Sequence, residues 1–154
     1  MSAYLICAFL IGVIAGLRSL TAPAAVSWAA WLGWLRLEGT PLAFLGYSAT
    51  PYIFTVLAIG ELIADQLPKT PSRKAPPGFI ARIVMGALCG GAFAAHAGSL
   101  AVGACAGAVG AIVGTLGGYE VRAALARLFG RDLPAALLED VVAIAGAFFL
   151  VSRG

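Results

Sequence analysis

The chain has 154 residues, of which 61% are hydrophobic and 11% charged, where an ordinary soluble domain carries roughly a quarter charged residues. A water-soluble fold of this length must cover its surface with polar groups that this composition does not supply, so the expected solvent is lipid. The net charge of +3 sits in short connections between apolar runs rather than along one face, which argues against a nucleic-acid partner and for orientation in a membrane.

The first apolar run, Ala3 to Leu17, has no positively charged leading segment of the secretory type and is read as a retained first span. The run from Ala22 to Leu35 would reach only about 21 Å as a helix, short of a comfortable crossing. Trp28, Trp31 and Trp34 recur in it every third residue, which suits either an anchor in the headgroup layer or a short span. Pro51 to Leu67, Phe79 to Ala95, Ser99 to Gly117 and Pro134 to Ser152 each approach the ~20 residues needed to cross a bilayer. The interval between Ile83 and Tyr119 is uncharged and too long for one span, so Ala95 to Ser99 is expected to be the turn of a helical hairpin, with His96 solvated in it.

Two segments differ in character. Residues 68–78 include Pro68, Pro71, Pro76 and Pro77 and read as a stiff extended loop. Gly118 to Phe129 places Val121, Leu125 and Leu128 on one face and reads as an amphipathic surface helix. Lys69, Arg73, Lys74 and Arg82 on one connection, with Arg122, Arg127 and Arg131 on the next of the same side, put the 68–78 loop in the cytoplasm. Lys69, Arg73 and Lys74 could also contact acidic lipid headgroups.

The expected fold class is therefore an all-α integral membrane protein of five to six short Gly/Ala-rich transmembrane helices, forming one domain over residues 1–154. A loose match of Ala58–Ile63 to Ala136–Val141, each following an arginine (Arg18 or Arg122), raises two inverted three-helix repeats, 1–67 and 79–154. Helix association in lipid depends on close contact, and Gly12/Gly16, Gly86/Gly90, Gly103/Gly107 and Gly110/Gly114 are each four apart. Those faces are expected to meet within one chain, with a homo-oligomer as the other option. Cys7, Cys89 and Cys105 lie in apolar runs and are expected to be buried.

The polar residues inside these runs are the candidate site. Glu61 lies about 9 Å inside its apolar block, Asp65 is one turn further along, and Glu139 and Asp140 enter from the same side. A carboxylate near the bilayer centre is costly and turns toward partners or water; Arg18, Arg82 and Arg122 lie near the same level. In Gly16–Pro23, Thr21 could cap a helix start, while Arg18, Ser19, Thr21 and exposed N–H groups could hold an anion. Two readings follow: a transporter or channel whose small solute, ion or proton passes a site lined by Glu61, Asp65, Glu139 and Asp140, or a noncatalytic scaffold or lipid-binding protein whose charges fix helix register. No catalytic motif is present, and no enzyme activity, cofactor or metal is expected.

The segments Gly16-Leu17-Arg18-Ser19-Leu20-Thr21-Ala22-Pro23, Glu61 to Arg73 and Glu139-Asp140 together resemble the bacterial domain-of-unknown-function 4126 family of small integral membrane proteins. The resemblance covers nearly the whole chain and implies a multi-span protein of the bacterial cytoplasmic membrane. It carries no established activity.

Overall fold

The computed structural model describes residues 3–64, 76–95 and 97–153. Asp65, His96 and the basic residues Lys69, Arg73 and Lys74 lie outside the described residues, as does the proline-rich loop up to Ala75; Pro76, Pro77 and Gly78, expected in that loop, instead form the first turn of a helix, where proline needs no amide partner. Within the described residues the chain is mostly helical, with an irregular segment between its second and third α-helices: α1 (Ala3–Leu17), α2 (Thr21–Trp31), a short 3-10 turn (Ala43–Gly46), α3 (Thr50–Ala64), α4 (Pro76–Ala95), α5 (Leu100–Phe129) and α6 (Asp132–Val151).

Three of these helices, α4, α5 and α6, are long and apolar enough to cross a membrane; α1 and α3 are apolar but shorter. The burial pattern supports a membrane protein. Arg18 is the largest fully buried side chain among the described residues, whereas Val56, Ile63 and Val141 are 68, 61 and 63% exposed. Water would favour the reverse arrangement, while hydrocarbon tolerates outward apolar faces and penalises outward charge.

The expected count of five to six spans needs correction: three helices are long enough to cross, and α1 and α3, at 15 residues each, are not. The 30-residue α5 absorbs both the block ending at Gly117 and the separate surface helix expected over Gly118–Phe129. Adjacent glycines weaken a helix without ending it; this one ends at Gly130, whose φ of 71° only glycine adopts readily. The hairpin turn falls where expected, between Ala95 and Leu100, with Gly98 at φ 72°.

The tryptophan segment is too short to be the span expected as one of its two readings. α2 has 11 residues, about 16 Å, and Thr21 to Ser27 and Ala29 are buried. Its first two turns lie in the interior, while Trp31 at its end and Trp34 beyond it are exposed. Trp28 is held inside by donating Nε1–H to Thr55 Oγ1 at 2.8 Å and by edge contacts with Trp31 and Tyr52.

Packing centres on α1, α4 and α5, which share the most extensive interfaces. The glycines expected to mediate close approach do so within the chain. A Cβ on Gly12 would overlap Gly107, one on Gly90 would overlap Gly103 and Gly107, and one on Gly16 would overlap the α5 backbone at Ala111 to Thr115. Backbones brought this close gain dispersion contacts that larger side chains would hold apart. Of the three cysteines expected to be buried, Cys89 is, Cys7 is half-buried, and Cys105 faces outward from α5. Its apolar neighbourhood in sequence did not distinguish a lipid-facing position from a protein-facing one.

Candidate functional site

The first helix stops at Leu17 because the chain must turn, and the turn is made of polar groups. Arg18 to Leu20 connects α1 to α2, and the chain then runs back: Ala3, Tyr4 and Cys7 at the start of α1 line the same cavity as Trp34 and Leu35 beyond α2. The two short helices form a hairpin with its tip at Arg18–Leu20.

That tip stops short of the ends of the long helices. Gly16 abuts Thr115, and α5 continues from there for 14 residues to Phe129, about 21 Å. Arg82, which donates to Gly16 and Leu17, lies six residues inside α4, about 9 Å from its start. Non-helical backbone at such a depth persists only where protein or a water-filled cavity surrounds it.

Four helices supply that surrounding. From α3, the Glu61 carboxylate accepts from the Ser19 N–H at 2.9 Å, the Ser19 hydroxyl at 2.8 Å and the Leu20 N–H at 2.8 Å. From α4, Arg82 Nη1 donates to the carbonyls of Gly16 and Leu17, both at 2.9 Å, and its Nη2 lies 4.0 Å from Glu61 Oε1. From α5, the Thr115 hydroxyl donates to the Gly16 carbonyl at 3.2 Å. From α6, Asp140 receives Arg18 Nε at 2.6 Å and is also bridged by Arg18 Nη2.

The chemistry follows helix polarity. The C-terminal end of α1 offers carbonyl oxygens, and a cation, Arg82, meets them; the approach to the N-terminus of α2 offers amides, and an anion, Glu61, meets those. The hairpin tip is thus a pair of opposed helix ends, each neutralised by a side chain from elsewhere in the chain.

The sequence expectations divide at this point. Glu61, Ser19, Arg18 and Asp140 do come together at the tip. Glu139 and Arg122 form a neighbouring pair at 3.4 Å. Among the described residues the carboxylates do not form one acidic cluster, because Glu61, Glu139 and Asp140 are each matched to a donor of their own. Thr21 does not cap α2: it is the first helical residue, preceded by Leu20, and its hydroxyl makes no hydrogen bond among the described residues. The capping acceptor is Glu61, far away in sequence. The anion expected at Arg18 and the α2 amides is likewise the chain's own Glu61, with Arg18 turned to Asp140.

Thr115 was not expected at the site and Arg82 was expected only as a partner at the level of the carboxylates, yet both contact the tip backbone. Arg82 stands in Phe-Ile-Ala-Arg-Ile-Val-Met-Gly, six residues into an apolar helix, and that interruption was the available signal. Thr115 offered none, since hydroxyls are common in such helices. Among the described residues no group of histidine, cysteine and carboxylate side chains could hold a metal. No protein-family model, curated protein or solved structure matches this chain.

Proposed function

We propose that this chain is a small multi-span transporter or channel of the bacterial cytoplasmic membrane, passing an ion or small solute at the α1–α2 tip. The observation that carries the proposal is the Glu61 carboxylate seated on the Ser19 and Leu20 amides inside a ring of longer helices. Broken helices whose ends point at charged groups within the bilayer are how many transporters build their sites. Two paired charges and an interrupted backbone in that position gain little stability over apolar packing, so a functional role is the economical explanation.

In this reading Glu61 is a tethered anion that can be displaced. α3 buries few of its residues, Pro51 and Ala58, and is fastened chiefly by Glu61 at one end and the Trp28–Thr55 bond nearer the other. A solute anion that takes its place on the amides removes the first fastening and frees α3 to move against the hairpin. Arg82, between Glu61 and the α1 carbonyls, keeps the vacated site cationic. The connection between α3 and α4 then faces the cytoplasm.

The test is flux in proteoliposomes. Glu61→Gln keeps most of the hydrogen bonds but removes the charge, and it is expected to abolish ion or solute flux while the protein still folds. Wild-type flux in that variant removes Glu61 from the mechanism.

A second reading, a noncatalytic scaffold or lipid-binding protein, is favoured by the internal matching of Arg18 to Asp140, Arg122 to Glu139 and Glu61 to the tip amides. It requires Glu61→Gln to lower thermal stability with no transport to lose in the wild type.

A further inference from the structure

We propose that the cavity at the opposite end of the molecule binds the phosphate headgroup of an anionic phospholipid. This inference rests on the membrane reading and is independent of any transport at the hairpin tip.

The cavity, about 440 Å³, lies where the start of α1, the segment after α2 and the end of α4 converge. Arg36 and Arg153 line it together with Tyr4 and Trp34, and Leu35 and Phe93 are its buried apolar part. Its size falls within the range of sites for small molecules.

Charge decides the class of occupant. No acidic residue lines the cavity among the described residues. At and beside the hairpin tip Arg18, Arg82 and Arg122 meet acceptors; at this end Arg153 lies over the Phe149 ring at 5.1 Å, and neither it nor Arg36 meets a carboxylate among the described residues. Two guanidiniums on one opening, each able to present paired N–H donors, suit a phosphate.

The apolar part selects between phosphate sources. A free phosphate ion would gain nothing from Leu35 and Phe93, whereas the glycerol and first acyl carbons of a phospholipid bury against them. Trp31 and Trp34, 43 and 49% exposed, are the residue type that concentrates at the headgroup layer, which puts the opening at the depth of lipid phosphate.

The experiment uses the full chain in detergent, with short-chain phosphatidylglycerol, phosphatidylcholine and inorganic phosphate each titrated and binding followed by native mass spectrometry. Phosphatidylglycerol is expected to bind tightest. Arg36→Gln and Arg153→Gln should each weaken it about fivefold, and the double variant about thirtyfold. The paired lysine variant, R36K/R153K, should bind more tightly than the glutamine double variant but more weakly than wild type, because the charge remains while the paired donors are lost. Undiminished binding in the glutamine double variant overturns the site. Equal wild-type binding of the two lipids, a result that needs no variant to fold, overturns the anionic class. Inorganic phosphate binding as tightly as phosphatidylglycerol overturns the lipid as its source.

Discussion

Arg18 and Asp140 stand 122 positions apart in the chain, yet Arg18 Nε donates to Asp140 Oδ1 at 2.6 Å in a place where Arg18 has no exposed surface. The pair ties the hairpin tip to α6. Removing one partner leaves the other charge buried and uncompensated, which typically costs about 3 to 5 kcal/mol. Asp140→Leu is therefore expected to destabilise the protein strongly, and Arg18→Met combined with Asp140→Leu to recover most of the loss. Thermal unfolding in detergent of the two single variants and the double variant measures both. Equal destabilisation in the single and double variants would contradict the pairing.

The glycine contacts predict position-dependent tolerance along the chain. Gly12→Leu drives a side chain into Gly107 of α5 and should disrupt the α1–α5 interface. Gly60→Ala, in α3, meets nothing within 4 Å and should be neutral or stabilising by about 0.5 to 1 kcal/mol through helix propensity. Yield of monodisperse protein and the unfolding midpoint separate the two; a tolerated Gly12→Leu would show that α1 and α5 are not in contact.

Trp28 and Thr55 supply a small, measurable fastening between α2 and α3. A double-mutant cycle with Trp28→Phe and Thr55→Val should give a coupling of about 0.6 kcal/mol, and under about 1.7, the range found for hydrogen bonds between membrane helices. Additive single effects would place the two side chains apart.

Accessibility tests the hairpin directly. Glu38→Cys and Ser99→Cys should react with an impermeant maleimide from one side of the membrane, and Arg131→Cys from the other. Leu20→Cys, at the tip, should resist the reagent from both sides. Rapid labelling of Leu20→Cys from the side that reaches Arg131→Cys would make α1 and α2 two complete spans.

The native thiols offer a check without topology. In detergent, Cys105 on the outer face of α5 should react with a small maleimide well before Cys89, which reacts only when the fold opens. Simultaneous reaction of the two would mean that the α1–α4–α5 packing is loose.

The lipid-compatible helical fold was legible from composition, and so was the turn between α4 and α5, because apolar blocks and Gly98 act locally. The glycine pairs announced close packing for the same reason: the absence of a side chain is a local property. Glu61 and Arg18 were recognisable because a charge in an apolar run needs a partner wherever the chain folds.

Which partner each charge meets was decided only in three dimensions. Spacing along one helix carries no information about a donor on another, so Thr21 read as a cap although Glu61 fills that role, and Arg18 read as an anion ligand although Asp140 holds it. The length of a single run likewise did not reveal that α1 and α2 pair as a hairpin ending inside the helix bundle. Local chemistry set the solvent, the helices and the residues that had to be matched; the matching itself arose from long-range packing, where four helices converge on the hairpin tip.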